Sequence, residues 1–225
     1  MPNDTKSEPL TFETLNAKQQ QVSHSFPDQL SLRVHRALSW LRRAEMAGED
    51  RDAAFIFYWI AFNAAYADNR EDVTPAGERQ AFEDYFSKIV ELDKSQLIYE
   101  AIWTRFSSSI RLFLDNRYVF QPFWSHQNGE AGYDDWEERF QKSKRRVRVS
   151  LAGRNTKAIL TTLFDRMYVL RNQLVHGGAT WNSSINRTQV TDGAQIMSFL
   201  MPLFIDLMMD NSKIPWGAPY YPVVE

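Results

Sequence analysis

The chain contains no cysteine, which excludes disulfides, thiolate metal sites and cysteine nucleophiles. Histidine is also scarce: the four stand at 24, 35, 126 and 176, with no HExxH or His-x-Asp spacing, so neither a metal centre nor a cofactor is expected. Neither sign of charge dominates. Lys and Arg total 26 against 28 Asp and Glu, a formal net charge of −2. With no global attraction to nucleic acid or anionic membrane, any RNA contact needs a local basic patch. No P-loop, GxSxG, GxGxxG, internal repeat or DNA-reading motif is present. Apolar runs fall short of the ~18 residues of a membrane span, and the opening MPNDTKSEPL is polar and acidic, unlike a signal peptide. The expectation is a cytoplasmic protein with no membrane contact.

What is present is ample core material. A length of 225 residues with 44% hydrophobic content suits one domain with tails. Residues 1–29, polar and carrying a Gln run at 19–21, read as a flexible N-terminal arm. Residues 30–210 read as a helical domain, and 211–225, rich in Pro and Tyr, as a C-terminal tail. A first helix is expected from Ser31 to Ala47, with Leu32, Leu38 and Leu41 inside and Arg33, Arg36, Arg42 and Arg43 outside. A second, Ala53 to Ala67, is apolar all round and reads as central. Asn63 is conspicuous on it, since its amide must find hydrogen bonds, in the core or as support for a functional group. A third helix opens at Pro75 and runs to about Leu92. A fourth, capped by Ser95, follows a Leu97, Ile98, Ile102, Phe106, Ile110 stripe to Leu114. Residues 117–132 read as an aromatic loop holding His126. A last apolar helix spans about Val190 to Met209, kinked or split at Pro202.

The most informative stretch is Arg171-Asn172-Gln173-Leu174-Val175-His176, followed by Gly177-Gly178. Apolar residues at 160, 163, 164, 167, 170 and 174 make Ile159–Val175 an amphipathic helix, and the two glycines read as its stop. A permanent cation, an amide and an imidazole then sit in the final turn, the groups that cleave RNA without a metal. The negative end of a helix dipole favours a cation there, so an ordinary cap has the same appearance. On the wheel Arg171 lies within the apolar stripe, where an unpaired guanidinium costs several kcal/mol, so a designated partner is expected. Asn172 and His176 share a face, but His176 stands about 140° from Arg171, so one helix cannot converge all three groups.

Ahead of that helix, Asp134, Asp135, Glu137 and Glu138 lead into Arg139, Lys142, Lys144, Arg145, Arg146 and Arg148. Acid first and base last complements a helix dipole and needs no function, yet Lys142, Lys144, Arg145, Arg146 and Arg148 are also the concentrated candidates for holding an RNA backbone. The end of the run, VRVSL over residues 147–151, alternates and is open to either helix or strand, an ambiguity that extends over 145–151.

With FYWIAFNAAY in its first half and LRNQLVHGG ending a later helix, the chain resembles the HEPN superfamily, over roughly residues 31–210. That signature is an Arg followed four to six residues later by His, often with a polar residue after the Arg. Arg171, Asn172 and His176 fit it, and the combination points to the Apea-like branch. The resemblance implies an all-α antiparallel bundle, a homodimer whose motifs meet in one cleft, and a metal-independent endoribonuclease. In that reaction the 2′-OH attacks phosphorus to leave a 2′,3′-cyclic phosphate. His176 would move the proton, Arg171 would stabilise the phosphorane, and Asn172 would orient His176 or a phosphate oxygen, with Asn63 in support. A toxin or phage-defence effector with an antitoxin or regulatory partner is implied, or alternatively a silent module binding RNA, a nucleotide or a protein. Two positions depart from the family pattern: Gly178 stands where some toxin members carry a modified Tyr, and Asn63 where relatives often have an acid.

Overall fold

The computed structural model describes residues 10–68, 75–221 and 223, and all regular structure among them is helical. Residues 1–9 of the expected arm lie outside the described residues, but the rest is no arm. Phe12–Val22 forms α1, opened by a reciprocal cap between Thr11 and Thr14. Leu15 is buried, and Lys18 bridges Asp206 and Asp210 at 2.6 Å each. A polar segment is thus held by one apolar anchor and one cation, too sparse a pattern to read as a stripe.

Asp28–Glu45 is α2, and Arg51–Tyr66, opened by Asp50 accepting from the Ala53 N–H at 3.0 Å, is α3. The two pack as a helical hairpin. The expected outward Arg33 is corrected: it is 0% exposed. Its guanidinium donates to the carbonyls of Ala65 (3.1 Å), Gly217 (3.1 Å) and Ala218 (2.9 Å). Those carbonyls replace the water a buried cation loses. The described C-terminal residues therefore fold back as part of the body, with Trp216 buried, rather than trailing as a tail.

Pro75–Leu92 is α4. The expected fourth helix is broken: Leu97–Glu100 (α5) passes through a π turn at Ala101–Arg105 into Ser107–Leu114 (α6). Its cap is Asp93, not Ser95, because that carboxylate reaches the N–H groups of Leu97 (2.9 Å) and Ile98 (2.8 Å). The aromatic loop holds a short helix, Gln121–Gln127 (α7), whose Phe123 joins Phe120, Trp136 and Phe140 in a small second core. Trp136–Ala152 forms α8, which settles residues 145–151 as helix.

Thr156–Val175 is α9 and Arg187–Asp210 is α10, one element through Pro202, so of the expected kink or split the split does not occur. A proline inside a helix costs about 3 kcal/mol, and burial of Met201, Pro202, Leu203 and Phe204 offsets it. Gly193 lets α10 approach α3, since a Cβ there would meet the Phe55 ring at 2.9 Å. Among the described residues, α10 alone is long and apolar enough to cross a membrane, and 67% of that stretch is buried inside the protein. Phe62, central on α3, gathers the core, its ring tilted against Phe164 of α9 at 4.4 Å and stacked on Phe86 of α4 at 5.9 Å.

Candidate functional site at the end of α9

Helix α9 packs against α4, α8, α6, α3 and α10, so most of its length is enclosed. Its last turn leaves the bundle. Gly177, at φ +70°, closes it: the Gly178 N–H donates to the Gln173 carbonyl (2.7 Å) and the Gly177 N–H to that of Leu174 (3.3 Å). This is the stop expected of the paired glycines, and it leaves His176 as the exposed cap residue.

Arg171, Asn172 and His176 fall in three settings. Arg171 is half-buried, not sunk in the core as its wheel position implied, because the helix has emerged from its packing partners by that turn. Its Nη1 donates to Asn172 Oδ1 at 2.9 Å, which aims the guanidinium into a cavity of about 550 Å³. Asn63, Arg36, Trp40, Tyr168 and Tyr220 line the same cavity. The structure thus brings Asn63 and Arg171 to one space, although no hydrogen bond joins them among the described residues. Asn172 also borders a separate recess of about 320 Å³ with Asp165 and Tyr168. His176 is exposed, outside the cavity's lining, with no ring partner among the described residues. One protomer does not converge the three groups, as the helix geometry required.

The cavity sets an aromatic ring face among cations. Trp40 is stacked on Phe57 at 5.8 Å and lines the cavity with Arg36 and Arg171. Arg36 donates to the Tyr221 carbonyl (2.5 Å), which draws the C-terminal segment across the same opening. Ring faces with adjacent cations hold unstacked bases and their phosphates.

The arginine that α9 does bury is Arg166, at 1% exposure. Its guanidinium lies 4.2 Å from the Phe120 ring centre, and its Nη2 donates to Ser143 Oγ at 2.8 Å. Desolvation pushes its pKa down to about 10, partly opposed by Asp165, and it stays charged near neutrality. Desolvation likewise raises the neighbouring Asp165 carboxyl, against the pull of Arg79 at 3.4 Å and of Arg166. Sequence reasoning missed Arg33 and Arg166. Arg166 follows Asp165 within an otherwise apolar stretch, an acid-base pair that reads as surface and so hid its burial.

The five candidate cations of α8 separate. Lys144 pairs with Asp115 (2.5 Å) and Lys142 with Glu138 (3.6 Å). Arg148 is exposed. Arg145 and Arg146 line one cleft with Arg79 and Lys157, and Arg146 lines a second with Lys142 and Arg139. Among the described residues no three His, Asp or Glu side chains gather as a metal-binding group. Compared with known proteins, the chain matches no family model, no curated protein and no solved structure.

Proposed function

We propose that the protein is a metal-independent endoribonuclease of the HEPN type, acting on single-stranded RNA as a homodimer in the cytoplasm. The observation that carries this reading is Arg171. Its guanidinium has an amide, not a carboxylate, as its partner, and faces a nucleotide-sized cavity with ring faces beside it. A cation so placed keeps its charge available for a phosphate.

In the proposed reaction His176, supplied across a two-fold axis, takes the proton of the ribose 2′-OH. The 2′-oxygen bonds to phosphorus, the P–O5′ bond breaks, and the O5′ leaving group takes a proton. The products are a 2′,3′-cyclic phosphate and a 5′-OH, with no redox change. Arg171 stabilises the charge on the phosphorane, and Asn172, which accepts from Arg171, orients that guanidinium. Asn63 supports from the cavity wall. A second copy is a natural occupant for the surface around His176, where Val175, Trp181 and Ile185 are exposed. A toxin or phage-defence role, with an antitoxin or regulatory protein as partner, follows from the same resemblance.

Cleavage of single-stranded RNA in EDTA tests the proposal. General acid–base help contributes about two to four decades, so His176→Ala should remove most cleavage while leaving the helical spectrum intact. Unchanged activity in that variant would sink the assignment. A second reading, a silent module that binds RNA or a nucleotide in the same cavity, is favoured by the position of His176 outside it. Wild-type protein that binds RNA yet yields no cyclic-phosphate ends establishes that reading instead.

A further inference from the structure

A second site lies on the opposite side of α9. Thr162 stands nine residues before Arg171, which places it about 13 Å away along the axis and half a turn round. There α4, α8 and the first turn of α9 enclose a cleft of about 490 Å³. Its cations are Arg79, Arg145, Arg146 and Lys157, and its one carboxylate is Glu83. Arg79 is already held between Glu83 (3.5 Å) and Asp165 (3.4 Å). Arg145, Arg146 and Lys157 have no ion-pair partner among the described residues.

Two further observations mark the cleft as built for an anion. Thr161, only 2% exposed, lines it, and the Thr161 hydroxyl is buried with no hydrogen-bond partner. Such a group is costly unless something completes it. Lys157 and Ala158 belong to the first turn of a 20-residue helix, so the positive end of its dipole faces the same space.

The cations with no ion-pair partner among the described residues form a cluster, not a track: Arg139, which lines the adjoining cavity, pairs with Asp135 at 2.8 Å. Lys142 and Lys144, which would extend a stripe along α8, are tied to Glu138 and Asp115. Arg148 stands about 160° round the helix from Arg146. A polymer backbone requires a line of positive charge, whereas three uncompensated cations converging on one concavity match a compact polyanion. We infer that this cleft binds a small molecule carrying a diphosphate group, held by Arg145, Arg146 and Lys157 with the Thr161 hydroxyl as donor. A second, smaller cavity that shares Arg79, Arg146 and Thr162, and whose lining adds Arg139, Lys142 and Asp165 to Phe120 and Pro122, gives room for the rest of such a ligand. The site stands independently of any nuclease activity.

Calorimetric titration of the full chain tests the inference, with inorganic pyrophosphate, orthophosphate and a single-stranded RNA oligonucleotide as probes. Pyrophosphate should bind saturably and more tightly than orthophosphate. Loss of charge-assisted hydrogen bonds should weaken it about 10- to 100-fold in the Arg145→Gln, Arg146→Gln double variant. Thr161→Val, which keeps the shape and removes the unpartnered hydroxyl, should weaken pyrophosphate binding several-fold, on the order of fivefold, without lowering the melting temperature of the free protein. Lys213→Ala, which removes an exposed cation that lines neither cavity, should leave binding unchanged, so the loss in the double variant is not one of general surface charge. The inference is overturned by absence of saturation at millimolar pyrophosphate, or by wild-type affinity in the double variant. It is equally overturned if the double variant weakens only the RNA oligonucleotide, since the face is then a backbone contact.

Discussion

Arg166 and Arg171 lie about one and a half turns apart on one helix, yet their surroundings assign them opposite work. Arg166 is enclosed by α8 and the Phe120 loop, stacked on a ring and bonded to Ser143. Its charge is spent on holding α8 against α9. Arg171 has left the enclosure, takes an amide as partner, and presents its guanidinium to an open cavity. The lesson is that deep burial of a cation marks structure when the protomer itself supplies ring and hydroxyl. In the proposed reading, half-burial with an amide as partner leaves Arg171 open to a ligand, whereas the spare donor of Arg166, its Nε, is sealed inside the protein.

That contrast can be broken in several ways, the largest in catalysis. Arg171→Ala should lower RNA turnover by about two to four decades, measured as single-turnover cleavage, and shift stability by no more than about 0.5 kcal/mol. Equal loss in kcat and in stability would erase the distinction. Next in size is assembly. Sedimentation should give a dimer at micromolar concentration, and Trp181→Glu with Ile185→Glu should give a folded monomer with little cleavage. A monomeric wild type that cleaves RNA would refute the shared site.

On the other side of the comparison, Arg166→Ala should cost about 2–4 kcal/mol in urea denaturation, because it empties a packed volume and unpairs Ser143. Arg166→Met, which refills the volume without a charge, should recover most of that loss. If alanine were tolerated, Arg166 would not be the brace between α8 and α9.

The smallest effect is a pH dependence at Asp165. Its folded carboxyl titrates above the ordinary 3.8, chiefly through desolvation, so between 3.8 and that higher value the folded chain holds more protons than the unfolded one. Stability from this group is present at low pH and declines as pH rises through the folded pKa. Asp165→Asn should therefore gain relative to wild type as pH is raised from 3.8, read from urea midpoints at several pH values. A gap that narrows over that range would contradict the desolvation account.

Much of the helical order was legible, because buried apolar faces recur with the helical period and caps announce ends. The second helix with Phe55, Trp59 and Phe62, and the glycine stop at Gly177, are examples. The failures share a cause. Arg33, expected outside, is buried because the carbonyls of Gly217 and Ala218 arrive from the far end of the chain, and no local window contains them. Arg171 was placed in the core by a wheel that treats α9 as uniform, whereas its middle turns, Ile159 to Leu170, are largely buried and its last turn is not. At the candidate site the residue types were readable, and so was the failure of one helix to converge them. The cavity was not, since Trp40, Asn63 and Tyr220 come from separate elements. The α8 cations were visible as a run, but their division into paired and unpaired members depends on Asp115, which is distant in sequence.

The most direct test of the central claim mixes two inactive variants. Arg171→Ala and His176→Ala proteins, each expected to be nearly silent, are unfolded together, refolded at equal concentration and assayed on single-stranded RNA in EDTA, with the cleaved ends analysed for cyclic phosphate. If Arg171 of one copy works with His176 of the other, half of the dimers are mixed and each holds one complete site, so activity should return to about a quarter of wild type. Activity no greater than that of the two variants measured separately, beside an active wild-type control, would contradict a site shared across the two-fold axis.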